Sequence, residues 1–282
     1  MNAPHPSVDD SERVFRAIDE MVETVNRFKR DPEFTLWVDE RVACVPCFNS
    51  TDEVLLGRLI TLIAYSNNAK ADGITRLVDQ GVLKRIFQDY SVEKVAELSP
   101  EKVIELHWHE IRAMRFKYKV DAMALCANCL LSIRKRYGSF MTYLANTGLP
   151  MALKSENDIR SFWVAFGKIQ GYFRELNIPY FRNLTSLCHL LMDVGFDCAK
   201  PDLAVMKTAV DLGIVLPPPK QKKNPNKNRS HPEEDLRRTV ETIQAYAISR
   251  NTRAPVMDLY FLIRGGQTGV THLVKAGYRF LT

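Results

Sequence analysis

The feature that most limits what this chain can fold into is a helical period that runs along almost all of its 282 residues. From Ser11 to Arg30, residues Val14, Ile18, Met21, Val22, Val25 and Phe28 recur three and four apart, which places them on one face of an α-helix. A Pro- and Cys-containing connector over residues 42–50 leads to a second stripe: Leu55, Leu56, Leu59, Ile60 and Ile63. ITRLVDQGVLKRIFQDY repeats the spacing, and SVEKVAELSPEKVIELHW reads as two short helices, each opened by a Ser with a Glu nearby. Residues 110–137 predict one longer helix with Ile111, Met114, Val120, Met123, Ala124, Ala127 and Leu130 inward. Arg112, Arg115, Lys117 and Lys119 cluster near its start, either as a solvated face or as a phosphate-facing edge. Strand-type alternation is almost absent, so the expected fold class is all-α.

The second half continues in the same way. A helix over about 158–175 is followed by the breaker Ile178-Pro179 and by another helix with Leu184, Leu187, Cys188 and Leu191 inward, giving a helix, a tight hairpin and a helix at about 170–195. The next helix has Leu203, Met206, Val210 and Ile214 on one face and opens at Lys200-Pro201-Asp202. Residues 216–235, LPPPKQKKNPNKNRSHPEED, carry five prolines and six Lys, Arg or His residues, which predicts a solvated linker or a loop that touches phosphates nonspecifically. DLRRTVETIQAYAISR and APVMDLYFLIRGG then read as C-terminal helices. The expected organisation is an N-terminal helix and connector (1–50) packed on a main helical domain (51–215), the basic segment (216–235) and C-terminal helices (236–282).

Composition bounds the function without choosing it. With 46% hydrophobic residues the chain can bury a large core, and a net charge of +6 permits a polyanionic partner without demanding one. No apolar stretch follows a basic start and no long apolar run appears, so a cytoplasmic protein with no membrane partner is expected. Cys44/Cys47 and Cys126/Cys129 have metal-like internal spacing, but the pairs lie far apart and the second sits in the apolar run DAMALCANCLLSI. They read as packing residues, and neither a metal nor another cofactor is expected.

The segment NIPYFRNLTSLCHLLMDVGFDCAKPDLAVMKTAVDLGIV resembles the helix-hairpin-helix DNA glycosylase superfamily, in which a hairpin precedes the helix that carries a catalytic aspartate. Across residues 55–210 the order and spacing of YSVEKVAELSPEKVIEL, IRAMRFKYKVDAMALCANCL and KRYGSFMTYL look most like the 3-methyladenine DNA glycosylase I group. The chain departs from that group in lacking its Cys/His zinc clasp and its pocket Glu, and in having Tyr65 and Lys70-Ala71-Asp72-Gly73 where the group keeps a Gly-Leu-Ser-Trp element. It also has Asp202 where that group lacks the aspartate.

What the resemblance implies is a DNA glycosylase whose partner is DNA carrying a damaged or modified base. Asp202 falls on the aspartate position, and Asn183 falls where strand-cleaving members keep a nucleophilic Lys, so hydrolysis without lyase chemistry is expected. Asp is also a favoured N-cap residue, and the two roles are compatible. Base-pocket expectations are Tyr65, Asn67, Asn68, His107, Trp108 and His109, with Trp108 alternatively a core residue. DNA-contact expectations are Tyr180 or Phe181 as a wedge or packing residue, then Arg182, Asn183, Thr185, Lys200, Arg112 and Arg115. An alkylated purine is the family's base; the altered pocket turn also admits another damaged base, or a modified base such as those of phage DNA. A noncatalytic DNA-binding protein on the same scaffold and a helical protein-interaction module are the competing readings.

Overall fold

Helical periodicity becomes helix along most of the chain in the computed structural model, which describes residues 8–27, 32–67, 69–221, 224–228 and 230–266. The helices are α1 (Val8–Val25), α2 (Pro32–Ala43), α3 (Asp52–Tyr65), α4 (Ala71–Asp79), α5 (Val82–Ile86), α6 (Val92–Ala96) and α7 (Pro100–Ile111). They continue as α8 (Tyr118–Tyr137), α9 (Phe140–Asn146), α10 (Glu156–Glu175), α11 (Leu184–Asp193), α12 (Leu203–Asp211), α13 (Glu233–Ser249) and α14 (Ala254–Arg264). None of the described helices is long and apolar enough to cross a membrane. The chain divides into two units: residues 1–45, 151–159 and 195–282 in the first, 46–150 and 160–194 in the second.

In the first unit α14 is the hub. Nine of its eleven residues are buried, so it is apolar nearly all round and needs cover on several sides, which α1, α2, α12 and α13 supply. That requirement explains why the boundary falls at Gly195 and not after residue 215: the helix led by Asp202 packs with the terminal helices. The basic segment contributes a short antiparallel hairpin, β1 (Lys220–Gln221) with β2 (Asn224–Asn228), where the sequence suggested only a loop.

In the second unit α3 and α8 form the centre, with Leu56, Ile60, Met123, Ala127 and Ile133 buried between neighbouring helices. Ser91 and Ser99 cap α6 and α7 by accepting from the amides of Lys94 and Lys102, as their sequence pattern predicts. Asp52 joins three helices: its buried carboxylate accepts from Arg134 Nε at 2.9 Å and from the Phe140 amide at 2.9 Å. Arg134 extends the network to Glu53 and Glu93.

The long helix expected over 110–137 is broken. After α7, residues Arg112–Met114 form a 3-10 turn and Arg115 takes φ +70°, so α8 starts only at Tyr118. The break turns Lys119 inward, contrary to its expected place among solvated cations. Lys119 is completely buried and its ammonium donates to the carbonyls of Ala64 (2.9 Å) and Ser66 (2.6 Å), closing the C-terminal end of α3. Burial, reinforced by Arg115, lowers its pKa to about 8. A Lys119→Met variant orphans the Ala64 carbonyl, leaves the Ser66 carbonyl with the 3.3 Å bond from the Ala69 amide, and is expected to lose about 1–3 kcal/mol of stability in urea unfolding.

Candidate functional site

Residues 195–202, GFDCAKPD, show why Asp202 stands where it does. Phe196, Asp197, Cys198, Ala199 and Pro201 are buried, so only Lys200 and Asp202 keep partly exposed side chains. Asp202 is the N-cap of α12. Its Oδ1 accepts from the amides of Ala204 (3.0 Å) and Val205 (3.2 Å), while its Oδ2 lies 3.2 Å from Lys200 Nζ. Two amides at a helix N-terminus and an ammonium therefore hold in place a carboxylate that remains about a quarter exposed, at 23%.

The rest of the loop is held from α14 and its approach. Arg253 donates from Nε to Asp197 Oδ1 at 2.8 Å and from Nη2 to the Gly195 carbonyl at 2.8 Å. Its Nη1 reaches the carbonyls of Arg41, Val42 and Cys44, which closes the C-terminal end of α2. The other Asp197 oxygen accepts from the Leu153 amide at 3.1 Å. Asp258, on α14, is buried and accepts from the Lys200 amide at 2.6 Å.

Burial raises the Asp258 carboxyl to about 6; Arg41 and the Lys200 amide oppose the rise, Asp202 adds to it, and Lys200's charge opposes it. The buried neutral acid therefore contributes stability that is fully present below the ordinary value of 3.8 and lost as pH rises through about 6. In Asp258→Asn the amide oxygen still accepts from Lys200. The variant's stability relative to wild type is expected to improve by about 2.4 kcal/mol between pH 4 and pH 7, measured by denaturant unfolding at each pH.

The remaining site expectations fall in the second unit and are only partly brought together. Asn67, at φ +49° in the turn after α3, donates from Nδ2 to Tyr118 Oη at 2.8 Å and to Tyr180 Oη at 3.5 Å. Tyr180, at φ +63° in the turn between α10 and α11, also bonds Ser66, and burial pushes its phenol up to about 12. This places one expected pocket residue beside one expected hairpin residue, joined by Tyr118, which the sequence reading missed. Its signal was available: Phe116 and Tyr118 alternate with Arg115 and Lys117.

Tyr65 is turned toward α4, with its hydroxyl 2.8 Å from Thr75 Oγ1. His107 pairs with Glu110 at 2.9 Å, Glu110 also binds Arg85, and His109 is exposed. Trp108 is half-buried with Lys117 Nζ 5.9 Å from its ring centroid. Asn68 lies outside the described residues.

Of the two alternatives for Phe181, wedge or packing residue, its 2% exposure matches packing inside the unit. Arg182 is exposed and bonds Asn177, Asn183 is the exposed N-cap of α11, and Thr185 is half-buried. Arg112 and Arg115 are exposed at the break before α8. Cys126 and Cys129 are buried in α8, where burial raises both thiols, and no group of three or more metal-binding side chains gathers among the described residues.

Compared with protein-family models, with curated proteins and with solved structures, the chain matches none.

Proposed function

We propose that this protein is a DNA glycosylase that extrudes a damaged or modified base and hydrolyses its N-glycosidic bond, leaving an abasic site. The observation that carries the reading is the Asp202 carboxylate, fixed at the start of α12 by two amides and Lys200 and still open to solvent. Breaking the bond leaves an oxocarbenium-like sugar, and a rigid carboxylate can stabilise that cation or take the proton from the water that captures it. Because the group is already ordered, little reorganisation is needed as the charge develops. The α10–turn–α11 element just upstream supports the reading, with Tyr180 at its turn and Arg182 and Asn183 exposed at the start of α11 for phosphate contact. With Asn at position 183, the product is an abasic site and not a cleaved strand.

The engagement of both Asp202 oxygens favours a second reading, a noncatalytic DNA-binding protein in which Asp202 only caps its helix. Alkylated duplex DNA treated with the wild-type protein and probed with an aldehyde-reactive amine separates the two. The glycosylase accumulates abasic sites that Asp202→Asn does not, whereas the noncatalytic protein yields equal background in both.

A further inference from the structure

The break between α7 and α8 exposes a surface of unusual composition. From Ile111 to Val120 the chain has four cations, two aromatics and no carboxylate; Arg112, Arg115, Phe116, Lys117 and Tyr118 are all exposed. Phe116 and Tyr118 keep 41% and 49% of their surface in solvent although they stack on one another, with ring centroids 5.4 Å apart and planes 25° from parallel. Lone exposed apolar residues are ordinary, but a stacked aromatic pair interleaved with three exposed cations is not.

The segment is also held firmly from beneath. Met114 and Lys119, on either side of the aromatics, are both fully buried, and the Ala113 carbonyl accepts from the Lys70 amide at 3.2 Å. A Cβ at Gly73 would lie 2.8 Å from Ala113 Cβ, so glycine there is what lets α4 approach the segment so closely. Arg115 is fixed at φ +70°, ψ −35°, a strained conformation for a non-glycine residue that marks a backbone set by its surroundings. The Asn67 bond to Tyr118 Oη fixes the second ring. Nearby Glu110 is committed to Arg85 and His107, while Asp121, in the first turn of α8, and Asp72, beside Gly73 in α4, are neighbouring exposed carboxylates.

We propose that residues 112–118 form a docking platform for an unpaired DNA strand: Phe116 and Tyr118 offer ring faces to bases, and Arg112, Arg115 and Lys117 offer charge to the flanking phosphates. A sequence-tolerant strand site needs this pairing of stacking faces with a cationic edge, whereas duplex DNA presents phosphates but no free base face. The proposal rests on the reading that the protein acts on DNA; it does not depend on the role of Asp202.

The test is fluorescence anisotropy of the whole protein with a labelled oligothymidine strand of about 15 nucleotides, alone and annealed to its complement, over a salt series. Wild type is expected to favour the single strand. F116A/Y118A is expected to lose about 10- to 100-fold in affinity for it, with little change in salt slope. F116Y, which keeps both rings and the Tyr118 hydroxyl that Asn67 holds, is expected to retain binding, and a far-ultraviolet circular dichroism spectrum of F116A/Y118A that matches wild type guards against a simple folding defect. R112A/R115A/K117A is expected to reduce the slope by about 2.

Unchanged binding by both alanine variants overturns the platform. So does a labelled polyglutamate peptide that binds wild type as tightly as the strand, because it would make the surface a site for acidic protein. If the strand binds as described but no base is ever released from modified DNA, the glycosylase reading fails and the platform stands. If base release requires Asp202 but both alanine variants bind and turn over as wild type, the platform fails and the glycosylase reading stands.

Discussion

Asp202→Asn is expected to slow single-turnover base release by about a thousand-fold, near the upper end of what removing one preorganised electrostatic stabiliser costs. The substitution is nearly isosteric. An Asn side-chain oxygen can still accept from the amides of Ala204 and Val205, so the start of α12 should survive. What disappears is the negative charge facing the developing sugar cation and its pairing with Lys200, a partly exposed contact worth well under about 1 kcal/mol to stability. Thermal unfolding should therefore barely move and DNA affinity should persist, while the chemical step collapses. Release by the variant within about twofold of wild type would reduce Asp202 to a helix cap.

Arg253→Met is expected to produce the largest loss of stability, about 3–5 kcal/mol in urea unfolding. Its guanidinium is largely buried at 18% exposure, and it neutralises Asp197, itself only 8% exposed. It also satisfies the carbonyl of Gly195 and those that end α2. Met fills much of the same volume, so the loss isolates the unpaired buried carboxylate and the orphaned carbonyls. Adding Asp197→Asn removes the stranded charge and should recover part of the loss; strict additivity of the two substitutions would contradict a direct coupling. Because Asp197 and Gly195 begin the loop that ends at Asp202, the single variant is also expected to release base more slowly than its remaining folded fraction accounts for.

The helical character of the chain was plain in its periodicity because apolar residues three and four apart have few other ways to share a face. Ser91 and Ser99 marked helix starts for an equally local reason, a hydroxyl and an amide three residues apart. The break at Arg112–Lys117 was not legible. Ile111, Met114 and Val120 keep helical spacing across it, and only the tertiary demand for Lys119 at the end of α3 shows why the chain turns there. Nor were the groups around Asp202 legible: Arg253 and Asp258 are more than fifty residues away, and nothing local distinguishes them from surface charges. Asn67 and Tyr180 were both named from the sequence, yet the Tyr118 hydroxyl that joins them comes from a helix whose start was misplaced.

Mass spectrometry of the free bases released from a panel of DNAs, each carrying a different alkylated or enzymatically modified base, tests the central claim most directly. The account predicts that the wild-type protein liberates at least one base, leaving an abasic and unbroken strand, and that Asp202→Asn liberates it about a thousand-fold more slowly. Release of no base from any member of the panel by a folded, DNA-binding wild-type protein would contradict it, as would equal release by the variant.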